Sequence, residues 1–222
     1  MANLILAKTK PFDLANIFST FITQWYYYVL LLAVIVAIVI FSVCKKSNRN
    51  TLSKTQNLVY TAVFTALAFV VNAFVSISIS PWNTLSFTAT IGFVAGYLLG
   101  GARGFAVAFI GDFLGAIIMP FGPYSPFIAL ATSLMGFVPG MIFEMKKGNK
   151  YLKVAISFLI VFVLGSLILN NVGCALMYGY TVKQVFLLSI LGKSLTMIVN
   201  CAICMVVVTV LPKVLPKDKF NL

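Results

Sequence analysis

Seven apolar runs of about 16 to 25 residues, separated by short polar stretches, constrain this chain more than any other feature. An α-helix of that length crosses a hydrocarbon core roughly 30 Å thick, and the runs lack the two-residue alternation of an outer-membrane barrel. With 61% hydrophobic and only 9% charged residues, the chain reads as an all-α integral membrane protein.

The runs and their breakers predict spans over Tyr26–Cys44, Gln56–Val75, Leu85–Gly100, Arg103–Ile118, Pro126–Met145, Leu152–Asn170 and Val185–Leu211. The first is set apart by the basic, polar stretch Lys45–Lys54, so it reads as an added N-terminal transmembrane helix ahead of a six-helix core. The predicted division is an N-terminal surface segment (1–25), the extra helix with its basic loop (26–53), a six-helix membrane domain (54–212) and a basic tail (213–222). Lys10–Thr23 is weakly amphipathic and is expected along the membrane surface. A secretory signal fits poorly, because the first strong apolar run begins late and ends in lysines with no small-residue cleavage site.

Basic residues flanking short loops stay cytoplasmic. Lys45, Lys46, Arg49 and Lys54, then Arg103, then Lys146, Lys147, Lys150 and Lys153, then Lys213, Lys217 and Lys219 all fall on one side of a seven-span count. The opposite loops, Ser76–Thr84, Met119–Ser125 and Asn171–Gln184, carry only Lys183. This predicts a multi-pass cell-membrane protein with the N-terminus outside and the C-terminus cytoplasmic; Lys8 and Lys10 are the discordant pair. The net charge of +12 is accounted for by this sidedness and by attraction to the lipid bilayer's anionic heads, with no nucleic acid required.

Only four acidic residues and no histidine occur, and one acid, Asp112, sits inside an apolar run. Lys193 is the other strongly intramembrane charge. A charge in hydrocarbon costs several kcal/mol unless paired or used, so both are candidate site residues. Counting about 1.5 Å per residue puts them at similar depth, about 10 Å from the external ends of their helices, with Asn72, Asn170 and Asn171 near the same end. Trp82, Phe121, Tyr124 and Tyr178 are predicted in the outer loops, where aromatics can cover a flat heterocyclic ligand and bond its edge. Carboxylate, ammonium, amides and aromatics together suit a bicyclic, partly anionic metabolite. The alternative is an Asp112–Lys193 ion pair holding two helices together beneath an ordinary aromatic headgroup belt.

Other chemistries fit poorly. Cys201 and Cys204 form a Cys-x-x-Cys inside an apolar span with no histidine in the chain, so no metal site or cofactor is expected. Acid–base hydrolysis needs histidine or paired carboxylates, and the core holds only Asp112, so no enzyme activity and no catalytic residue is expected. The pairs Gly96/Gly100, Gly100/Gly104 and Gly111/Gly115 favour close helix approach and read as structural.

Between residues 85 and 145 run the glycine-rich turn Gly100-Gly101-Ala102-Arg103-Gly104, a Gly-Asp-x-x-Gly-Ala run at Gly111–Ala116, a Pro-x-Gly-Pro-Tyr loop at Pro120–Tyr124, and a following helix with Thr132 and Gly136. These resemble the substrate-binding S components of energy-coupling factor (ECF) vitamin transporters, the folate-type group most closely. Lys193 falls where that group is expected to carry an arginine or lysine near the start of the last helix. The resemblance covers about residues 54–212 and implies an S-component-like six-helix bundle. It implies high-affinity capture of a vitamin, folate favoured, followed by reorientation in the bilayer; the residues read above as its substrate-binding site are Asp112, Lys193, Asn72, Asn170, Asn171, Trp82, Phe121 and Tyr124. Implied partners are a transmembrane coupling subunit and two cytoplasmic ATPase subunits, consistent with a chain that has no phosphate-cradling Gly-x-x-x-x-Gly-Lys-Ser/Thr loop. In such proteins an Ala-x-x-x-Ala face docks on the coupling subunit, and Ala62 and Ala66 match it; small residues four apart also suit internal packing. Alternatives are another vitamin, such as pantothenate or a pyrimidine precursor, or a membrane scaffold protein without a ligand.

Overall fold

The computed structural model describes residues 29, 32–33, 35, 52–75, 77–80, 83–85, 87–118, 124–145, 148–178 and 182–215. The first helix of the core, α1 (Lys54–Phe74), starts on a capping box: the Ser53 hydroxyl accepts the Gln56 N–H at 3.2 Å and the Gln56 side chain accepts the Ser53 N–H at 3.1 Å. A hairpin of β1 (Ile77–Ser80) and β2 (Asn83–Leu85) follows, antiparallel, pairing Ile77 with Leu85 and Ser78 with Thr84. Then come α2 (Thr88–Leu99), α3 (Gly101–Ile118) and α4 (Pro126–Glu144). α5 (Lys150–Val161) passes into a π-helical stretch, Phe162–Leu169, and on into α6 (Asn170–Tyr178); α7 (Val182–Val214) closes the chain.

The structure is thus all-helical apart from one short hairpin, and five of its helical segments are long and apolar enough to cross a membrane. Of the predicted first span, the described positions 29, 32, 33 and 35 are helical, and Ile35 packs against the main core. The rest of residues 1–51 lies outside the described residues, as does the tail from 216.

Two predicted boundaries need correction. The run Leu85–Gly100 was expected as one helix, yet Leu85 belongs to β2 and α2 has only 12 residues, about 18 Å, too short to span. Asn171–Gln184 was expected as a loop, yet helix continues to Tyr178. The paired asparagines are tolerated there because side chains bond within the helix: Asn171 Nδ2 donates to the Leu167 carbonyl at 2.9 Å.

Glycines knit α2, α3 and α4 together. Gly100, at φ 95°, turns the chain directly from α2 into α3. A Cβ on Gly104 would meet the Gly96 Cα at 2.5 Å, and one on Gly136 would strike the Gly104 carbonyl, so these backbones touch. α1 joins α3 the same way, with Gly111 against Ala68 and Gly115 against Asn72. Below the glycines lies an aromatic core in which Phe93 meets Phe143 edge-on at 6.1 Å and Tyr97 meets Phe143 at 4.7 Å. The outward faces are apolar, with Leu191 84% and Ile198 66% exposed on α7, as lipid contact requires.

Candidate functional site

At the hairpin end of the bundle, α1, α3 and α6 finish while α2, α4 and α7 begin. Two polar clusters form there. In one, Asn72 Nδ2 of α1 donates to Asp112 Oδ1 of α3 at 3.3 Å and to the Asp112 carbonyl at 3.4 Å. The contact exists because Gly115, one turn from Asp112, has no side chain to hold Asn72 away. Tyr124 faces the same carboxylate. Burial pushes its phenol above the usual value and the charge of Asp112 raises it further, while its ring meets Phe113 edge-on at 5.5 Å.

In the other cluster, Lys193 of α7 is only 3% exposed and donates to Asn171 Oδ1 of α6, an oxygen that also accepts from the Ser189 hydroxyl at 3.2 Å. Ser189 and Lys193 are one turn apart on the inner face of α7, and so aim at the same oxygen. Asn170 accepts from the Cys174 thiol at 3.2 Å. Seven residues further along α7, Asn200 accepts from the Thr90 hydroxyl of α2 at 2.9 Å, extending the polar face towards the middle of the bundle.

The start of α4 links the clusters. Tyr124 turns towards Asp112, and the next residue, Ser125, lies where a Cβ on Gly173 would meet its Oγ at 2.8 Å, two residues past Asn171. Asp112 and Lys193 therefore flank one helix start, each held by an asparagine and not by the other. The start of α4 thus stands between a carboxylate with its amide and phenol and an ammonium with its amide.

Of the predicted site residues, Asn72, Asp112 and Tyr124 come together, as do Asn170, Asn171 and Lys193; Trp82 and Phe121 lie outside the described residues, and so does the side chain of Tyr178. Sequence reasoning missed Ser189, Thr90 and Asn200. Only Asn200 carried a signal: it lies two helical turns past Lys193 on the same span. Among the described residues no three His, Cys, Asp or Glu cluster to hold a metal.

Helices of membrane-crossing length with inward polar groups at one end define a multi-pass membrane protein. Residues 52–217 match the family model described as "ECF-type riboflavin transporter, S component", and the chain belongs to that family. It is therefore a substrate-binding membrane subunit and not an enzyme, a vitamin-binding part of a transporter whose other subunits are the ECF module's transmembrane component and ATPases. Among solved structures, the fold is similar to a crystal structure of FolT bound with folic acid: TM-score 0.58, 20% identity, covering 68% of this chain and 91% of that one. Comparison with curated proteins gives no match.

Proposed function

We propose that this S component captures riboflavin at the hairpin end of the bundle. The carrying observation is the charge balance there. Lys193 is the one buried lysine or arginine among the described residues, and Asp112 is the carboxylate facing the site. One charge of each sign suits an uncharged ring with a hydroxylated tail: the ammonium meets ring acceptors, while carboxylate and amides meet hydroxyls. Folate brings two carboxylates, which one ammonium beside an aspartate matches less well. The description of the family model supports the same vitamin.

Folate is the second reading, favoured by the likeness to FolT and by the motifs of residues 85–145. The test is mass spectrometry of small molecules released from the protein purified in mild detergent, followed by titration of what appears. Stoichiometric riboflavin is expected. Folate would keep the transport role and change the substrate, as would pantothenate or a pyrimidine precursor. Protein that binds none of these would favour a ligand-free scaffold.

In the proposed orientation the hairpin end faces outward, the N-terminus is outside and the C-terminus cytoplasmic, and the subunit reorients in the bilayer to deliver its cargo. Ala62 and Ala66 form the docking face for the coupling subunit. Both are exposed on α1, beside Leu58 and Val63, instead of being consumed by packing within the bundle. Ala62→Leu is expected to leave vitamin binding intact and block co-purification with the coupling subunit, because the larger side chain holds the backbones apart. Normal co-purification would count against that face.

A further inference from the structure

We propose that Asn171 is a positioning residue that works through Lys193: it fixes the ammonium in the site while leaving its charge available to the ligand. The inference rests on the proposed binding role of Lys193 and extends it to how that charge is held.

Three observations carry it. Asn171 is fully buried, and its carbonyl oxygen takes hydrogen bonds from both Lys193 and Ser189, while its amide nitrogen donates to the Leu167 carbonyl. An amide oxygen has two lone pairs, so this one has no acceptor capacity left for a ligand. An ammonium has three N–H donors, of which Asn171 takes one. Through that oxygen Asn171 is therefore placed to orient the lysine and not to accept from the ligand.

Its location in the chain explains the aim. The stretch Phe162–Leu169 runs in π-helical geometry, ending where the Asn170 N–H donates to the Gly165 carbonyl. Each residue of such a wide turn advances the chain through a smaller angle than an α-residue, so eight of them rotate the face that α6 presents. The rotated face puts Asn171 against α7. Gly165 lets the wide turn lie close to α4, where an added Cβ would sit 3.3 Å from the Ala131 carbonyl.

The neutrality of the acceptor matters for selectivity. A carboxylate at this position would hold the ammonium equally well and cancel its charge. An amide holds it and leaves a charged donor facing the site, which rewards a ligand presenting a strong acceptor such as a ring carbonyl or ring nitrogen.

The test is a double-mutant cycle on purified protein in detergent, titrated with riboflavin by quenching of flavin fluorescence. Asn171→Ala is expected to weaken binding about tenfold when Lys193 is present and less than about twofold in a Lys193→Met background. Asn171→Asp, which preserves shape, is expected to weaken binding at least as much as Asn171→Ala. An Asn171→Ala effect that persists undiminished without Lys193 would overturn the proposal, since Asn171 would then contact the ligand or merely support the fold. Wild-type affinity in Asn171→Asp would overturn it too. If the alanine variant does not fold, the isosteric aspartate variant carries the decision. Wild-type protein blank towards riboflavin would be recognised before any substitution is made; it would remove the riboflavin reading alone, and the same cycle would be read with the vitamin that the purified protein retains.

Discussion

The two halves of the bundle are held by different means. In α2, α3 and α4 the helices meet backbone to backbone over glycines. Where α7 meets α6 and α2 the contacts run through polar side chains: Lys193 and Ser189 to Asn171 of α6, Asn200 to Thr90 of α2. Glycine contacts have no slack, because backbone atoms have no rotamers to change. Side-chain contacts can be exchanged for contacts with a ligand. The bundle therefore pairs a stiff frame with a wall whose hydrogen bonds can be re-partnered, and the candidate site lies where they meet.

The sharpest way to break this contrast is to add one methyl to the frame. Gly136→Ala would drive a Cβ into the Gly104 carbonyl, where only backbone could yield, at a cost expected above about 2 kcal/mol. Loss of monodisperse protein or a large drop in thermal stability in detergent should follow. Near-wild-type stability would mean that α3 and α4 are not locked as described.

A charge change at the candidate site, one on the frame and one on the wall, should act on ligand and not on fold. Asp112→Asn and Lys193→Ala are each expected to weaken vitamin binding at least about tenfold, or about 1.4 kcal/mol, by removing a charge-assisted hydrogen bond from a poorly hydrated site. Unchanged affinity in folded protein would remove the residue from the site.

How much of this was legible beforehand follows from the same contrast. The frame was readable because glycines four apart have one physical use between membrane helices, and Gly96, Gly104 and Gly111 are used that way. Lys193 and Asp112 were readable because charge in an apolar run demands an explanation. The hydroxyl residues that reach between helices were not. Serine and threonine in apolar helices usually bond their own preceding turn, as Thr61, Thr65 and Ser194 do here, so nothing in the sequence marks Thr90 or Ser189 as reaching across helices. The asparagine pair at 170 and 171 misled for the opposite reason. Two amides after an apolar run read as a helix end, whereas the π turn and the bond to Leu167 carry the helix past them.

A smaller effect is expected at Thr90→Val, which keeps the shape of the side chain and removes the donor to Asn200. A buried amide oxygen deprived of that donor costs roughly 1 to 2 kcal/mol. Thermal unfolding of the ligand-free protein reads it, and no measurable change would show that α2 and α7 are not joined through this pair.

The smallest effect separates tight glycines from roomy ones within the same molecule. Gly165 is buried like Gly136, but a Cβ there would sit 3.3 Å from both the Ala131 carbonyl and a Val161 methyl, a few tenths of an ångström inside easy contact. The valine methyl can move, and alanine favours helix over glycine by up to about 1 kcal/mol, though that preference refers to α-geometry and this residue lies in a wider turn. The two terms nearly offset, so Gly165→Ala is expected within about 1 kcal/mol of wild type. If it instead destabilises as strongly as Gly136→Ala, the π turn is as rigid as the glycine frame, and the division between stiff frame and adjustable wall has to be redrawn with Phe162–Leu169 on the frame's side.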